Sequence, residues 1–286
     1  MAVQIADILD LVAVRQIGES VFLGSPTRYS LPRVFGGQVV GQALTAASAT
    51  TPPDWPVHSV QTQFLRPGSP DLPIRFAVER NRDGGSFASR TINACQGDRQ
   101  ILAARASYHR PETGFEHQLA APAVPSPHDL PSWVELYESD PDAWPTFYLE
   151  WEPLDVRIVP QSQVSAAPTS TGLGSRTQVW MRSKRTLRTD DQNTNRALLA
   201  CVSDLLLLSA SVLPHGVLPS HKAVQMASLD HCVWFHRPFR MDEWLLYDHM
   251  SPSSHGGLGL ARGEFYTDDG RHVASVVQEG LIRSRE

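Results

Sequence analysis

The longest apolar run in the chain spans 197–213, and within it Leu205-Leu206-Leu207-Leu208 puts leucine on every side of a helix within about one turn. A helix with one apolar stripe lies on a surface, whereas a helix apolar all round has to be surrounded. The run falls short of the ~20 residues that a membrane helix needs and holds Asp204 near its middle. It is therefore expected to be a core helix over Thr194–Val212, with no membrane insertion. A curved antiparallel sheet wrapped around one long helix meets the demand, which places the chain in the α+β class.

The pattern around that helix occurs twice. In the first half, apolar spacing predicts a short helix over Ile5–Val14, a strand at Val21-Phe22-Leu23 and a helix over Phe35–Ala47 entered through Gly36-Gly37. Strands follow at Val57–Leu65, Ile74–Arg80, Ser86–Gln96 and Ile101–Tyr108. In the second half, a strand at Thr177–Leu187 leads into the apolar helix. After it come strands at Ala223–Phe235, Trp244–Met250 and Leu258–Thr267, a turn at Asp268-Asp269-Gly270, and a strand at His272–Arg283. Arg66-Pro67 closes one strand and Arg237-Pro238 closes its counterpart; from position 66 to position 237 the offset is 171, which also carries Leu102-Ala103 onto Val273-Ala274. Such register argues for an internal duplication. The expected organisation is a first repeat over 1–110, a Pro-rich linker over 111–150 with a short helix around Trp133–Tyr137, and a second repeat over 151–286. The stretch Gln161–Ser175 reads as a second loop.

Composition narrows the functions. With 41% hydrophobic and 19% charged residues and a net charge of −5, the chain is a folded globular protein without the basic runs that nucleic acid requires. Cys95, Cys201 and Cys232 form no CxxC pair and indicate neither a zinc site nor a disulfide framework, so reduced, buried thiols are expected. Neither end carries a recognisable targeting signal, and a cytoplasmic location is the default expectation. There is no GxSxG, HExxH, Walker loop or GxGxxG, and the 11 histidines are scattered along the sequence. A reaction without cofactor or metal is expected.

Asp204 is the acid placed in apolar surroundings, next to Ser203. A carboxylate so placed suits general-base work, although an exposed helix edge or a bond to neighbouring backbone would also accommodate it. The helix opened by Gly36-Gly37 has no acid; its glycines permit close approach of sheet or ligand, and N–H groups at its start could hold an oxygen. One active site per chain follows, in the second repeat.

Seven stretches in order carry a resemblance. They are 35–44 (FGGQVVGQAL), 64–68 (FLRPG), 227–231 (ASLDH), 234–239 (WFHRPF), 243–247 (EWLLY), 262–266 (RGEFY) and 277–280 (VQEG). Together they resemble the acyl-CoA thioesterase II family, the double-hotdog thioesterases. The resemblance implies two hotdog repeats in one chain and hydrolysis of acyl-CoA to free fatty acid and CoA. It further implies an attacking water held by an aspartate, a hydroxyl residue and a glutamine, which fall on Asp204, Ser228 and Gln278. Serine stands at 228 where threonine is usual, keeping the hydroxyl without the methyl that restricts its rotamer. Asp230, His231 and Glu279 are expected to be structural, and His58 to lie at the surface. By analogy with hotdog sheets, a homodimer or homotetramer is expected. Two rivals remain: a hotdog dehydratase, which needs a His/Asp pair, and a hotdog that binds acyl-CoA without turnover.

Overall fold

In a computed structural model of the chain, residues 7–26, 31–141, 149–164, 174–216 and 224–284 are described. The first half runs from a single 3-10 turn at Ile8–Leu11 through β1 (Val14–Gly18), β2 (Val21–Gly24), α1 (Gly36–Ser48), β3 (Val57–Phe64), β4 (Ile74–Asp83), β5 (Phe87–Gln96) and β6 (Arg99–His109). The linker carries α2 (Trp133–Ser139), and the second half contains β7 (Leu154–Ile158), β8 (Arg176–Ser183), α3 (Gln192–Ser203), β9 (Val224–Ser228), β10 (Asp230–Phe235), β11 (Leu245–His255), β12 (Leu258–Thr267) and β13 (His272–Ser284). All pairings are antiparallel, in the order β1-β2-β4-β5-β6-β3-β10-β13-β12-β11-β8-β7, with β9 on β13. The two halves fuse into one sheet where β3 pairs with β10, Asp230 facing Gln63 and Trp234 facing Ser59.

The sheet encloses two helices that pack on each other. A Cβ on Gly37 would stand 2.1 Å from the Cys201 carbonyl oxygen, and one on Gly41 would stand 2.9 Å from that of Ala197. Glycine at both positions is what lets α1 and α3 touch backbone to backbone. The contacts run antiparallel, so the start of α1 meets the end of α3. The other end of α3 is pinned to β3, where the Asn193 side chain accepts from the Val57 N–H at 2.8 Å and the Arg196 guanidinium donates to the Val57 carbonyl. Burial draws the Arg196 guanidinium down to about 10. One continuous core includes Val40, Leu44, Phe76, Leu198, Val202 and Phe265.

Several expectations change. The apolar run is not one helix: α3 stops at Ser203, Asp204 is its C-cap, and a 3-10 segment at Leu207–Ser211 follows. Residues Gln192–His215 are long and apolar enough to cross a membrane by composition, but most of the segment is buried inside the fold. The leucine run is surrounded, as its composition demands, but with an irregular backbone. The helix expected over Ile5–Val14 is only the turn at Ile8–Leu11, after which β-branched Val14 starts β1; residues 1–6 lie outside the described residues. The strand expected over Ala223–Phe235 breaks at Leu229, and β8 ends at Ser183 rather than Leu187. Two short edge strands, β1 and β7, went unread. In the linker, α2 is set by a capping box between Ser132 and Glu135. Pro125 accepts from the Trp180 indole at 3.0 Å, which holds the linker against the outer face of the second repeat.

Candidate active site

The break in the apolar run creates the site. Asp204 caps α3 with φ −74° and ψ −14°, so its side chain emerges where the helix ends. Ser228 is the last residue of β9, opposite Gly280 on β13. Leu229 then steps the chain across, its N–H donating to the Glu279 carbonyl and its own carbonyl accepting from the Phe64 N–H. This step ends β9 with the Ser228 hydroxyl beside Asp204. Gln278, fully buried on β13, faces the same point.

Both partners bind one carboxylate oxygen. Gln278 Nε2 donates to Asp204 Oδ1 at 2.5 Å, and Ser228 Oγ donates to the same oxygen at 3.4 Å. The other oxygen, Oδ2, faces α1: a Cβ on Gly36 would stand 3.0 Å from it. The positive end of a helix dipole therefore points at the carboxylate. Phe35 caps α1 without a side-chain hydrogen bond, and the Gly36 and Gly37 N–H groups, at the first two helical positions, have no intrahelical acceptor. Gln278 Oε1 is buried without a hydrogen-bond partner among the described residues.

A cavity of about 400 Å³ opens over Asp204 and Ser228, with Gln278 buried behind them and outside its lining. Asp204, Ser228, Met226 and Leu208 line it from the second repeat; Phe35, Gly36, Val39 and Phe64 line it from the first, with Arg33 and Arg66 at exposed positions. The site is thus shared between the repeats, and the first contributes a wall as well as a scaffold. Sequence reading assigned the chemistry to the second repeat and missed this sharing. The one signal was the glycine pair at 36 and 37, read there as able to approach a ligand.

The other polar candidates hold the frame. Asp230 accepts from the Glu279 N–H at 2.7 Å. His231 is fully buried with Nε2 2.8 Å from Ser203 Oγ, and burial pulls its imidazole below the usual range despite the negative charge of Asp204. Tyr247 donates to the Ser203 carbonyl at 3.1 Å, which fixes the last turn of α3 from the sheet side. His58, half-buried, sits 2.8 Å from Ser107 and outside the cavity. The cysteines are all free; Cys201 is buried, but Cys95 and Cys232 are only partly so.

An antiparallel sheet wrapped round a central helix in each of two fused repeats, with a carboxylate at their shared cavity, is a double-hotdog architecture. Residues 26–109 match the family described as acyl-CoA thioesterase N-terminal domain, and residues 159–281 match the family described as acyl-CoA thioesterase. The human acyl-coenzyme A thioesterase 8 is 34% identical over 93% of this chain and 86% of its own length. Acyl-CoA thioesterase 2 of Haemophilus influenzae is 32% identical, with 98% of each chain covered. The crystal structure of an acyl-CoA thioesterase II from Mycobacterium marinum superposes with a TM-score of 0.82 at 40% identity, over 97% of each chain. A hot dog protein from Alicyclobacillus acidocaldarius, at 20% identity and a TM-score of 0.76, shares the fold. The chain belongs to the acyl-CoA thioesterase family, and it is a hydrolase of acyl-CoA.

Proposed function

We propose that this chain hydrolyses acyl-CoA by direct attack of a water molecule activated by Asp204, with Ser228 and Gln278 as its partners and without a metal or cofactor in the reaction. The observation that carries the reading is the asymmetric tethering of Asp204, with two donors on Oδ1 and Oδ2 turned toward the cavity wall at Gly36. Tethering fixes the carboxylate and leaves one oxygen to accept the proton. Gln278, fully buried behind the carboxylate, holds Asp204 in place, and the Ser228 hydroxyl on the cavity wall orients the water.

The water oxygen attacks the thioester carbonyl, whose oxygen becomes negative. The N–H groups at the start of α1 are donors suited to that charge, reinforced by the helix dipole. Collapse of the intermediate expels a thiolate, a good leaving group because the conjugate thiol has a pKa of about 8.5. The apolar cavity wall takes the acyl chain. Arg33 and Arg66 at its rim take the anionic CoA moiety, a local attraction within a chain of net charge −5.

Single-turnover hydrolysis in ¹⁸O-enriched water tests the route. Attack by water puts the label in the released carboxylic acid and none in the protein. Label recovered in the Asp204 side chain, with unlabelled acid in the first turnover, would mean that the carboxylate itself attacks and would overturn the proposal.

A further inference from the structure

Histidines that are scattered in the sequence converge in the fold. His236 directly follows β10, Glu264 lies on β12, and His272 opens β13; one ligand atom from each lies within 4.8 Å of those of the other two. His272 Nε2 is 2.7 Å from Glu264 Oε2, and His236 Nε2 is 2.9 Å from Ser275 Oγ. The Ser275 hydroxyl donates to that same Glu264 oxygen. Ser275 and Gln278 are an odd number of residues apart on one strand, so this cluster occupies the face of the sheet opposite the Asp204 site.

A bulge makes the convergence possible. By strict alternation His272, three residues before Ser275, would point to the other face. The β12–β13 register slips between Phe265↔Ala274 and Tyr266↔His272, leaving Val273 unpaired and returning His272 to the side of Ser275. His272 then stacks on Tyr266 with ring centroids 5.0 Å apart. The first repeat has the same slip, between Ala94↔Leu102 and Cys95↔Gln100, and there Gln100 donates to Asn93 at 2.6 Å. The duplicated backbone thus presents two amides in one repeat and an imidazole with a carboxylate in the other.

We propose that His236, Glu264 and His272 form a site for one zinc-class divalent cation that joins β10, β12 and β13 on the face opposite Asp204. Two imidazoles and a carboxylate are a donor set that Zn²⁺ takes at about 2.0–2.2 Å, with water completing the tetrahedron. Tetrahedral donors at that radius stand about 3.3 Å apart, so His272 and Glu264 open slightly while the exposed His236 ring closes in. Ser275, bonded to Glu264, orients the carboxylate from the next shell outward. The proposal is independent of the Asp204 mechanism.

The test uses the full chain without a histidine tag, stripped with chelator and titrated with ZnCl₂ by calorimetry and with CoCl₂ by visible absorption. One equivalent of Zn²⁺ per chain and Co²⁺ ligand-field bands are expected. His236→Gln and Glu264→Gln each weaken binding by at least ~10-fold, whereas Gln100→Ala in the first repeat leaves it unchanged. His236 is exposed, so its variant keeps the fold; Zn²⁺ raises Tm in the parent chain and not in His236→Gln. Absence of stoichiometric binding, or equal affinity in parent and both variants, overturns the proposal.

Discussion

Asp204 has both donors on a single oxygen, and the two donors differ in what their loss does. Gln278 is fully buried, so Gln278→Ala removes the short bond to Oδ1 and leaves an apolar gap beside the carboxylate. Ser228 is half-buried at 3.4 Å, a weaker hold. Gln278→Ala is expected to lower kcat roughly 10²–10³-fold, and Ser228→Ala by about 10-fold, measured by thiol release from acyl-CoA. Equal losses from the two would mean that the hydroxyl does more than orient. Ser228→Thr keeps the donor and is expected to retain activity. At the rim, Arg33→Ala with Arg66→Ala is expected to raise KM several-fold with kcat little changed. That difference should shrink with added salt, because exposed charges are screened.

The helices act as a pair, and their glycines have separable duties. Gly37 faces the α3 backbone, with 2.1 Å between its virtual Cβ and the Cys201 carbonyl oxygen, an atom that cannot swing aside. Gly37→Ala is expected to cost about 3 kcal/mol of stability, read from denaturant unfolding. Gly36 faces Asp204 Oδ2 and the Phe64 ring, both side chains, at 3.0 Å. Gly36→Ala is expected to fold with a stability loss of about 1 kcal/mol while losing at least ~10-fold in kcat, because its methyl crowds the oxygen that takes the proton. Elements with strong periodicity or glycine punctuation, such as α1, β3 and β12, were legible from the sequence nearly to the residue. The end of α3 was not, since Leu205–Leu208 fits a helix as well as it fits a buried turn, and only packing decides between them. The step at Leu229 was equally hidden, because alternation runs through it without a turn residue.

At the scale of the molecule, duplication was readable from the repeated Arg-Pro landmarks, and the fusion of both repeats into a single sheet follows from the β3–β10 pairing. The shared cavity was not readable, because no local pattern tells which surface of one repeat meets the other. The three site residues came from family resemblance; a helix end and two strands have no spacing that links them. The fold also stores a pH dependence. His249 is fully buried, and burial depresses it to about 4. Its folded value lies below its unfolded 6.5, so the unfolded chain binds the proton first. Stability is full above pH 6.5 and is lost as pH falls toward about 4, by about 3 kcal/mol from this group. His249→Leu is expected to flatten that acid limb in pH-dependent unfolding; an unchanged slope would assign the limb to other groups. The central claim, an aspartate at the end of a buried helix making water nucleophilic, is tested most directly by Asp204→Asn. The account predicts a cooperatively folded protein with an unaltered Tm to within a few degrees and thiol release from acyl-CoA reduced by ~10²–10⁴-fold. Turnover near that of the parent chain, in a protein shown to be folded, would contradict it.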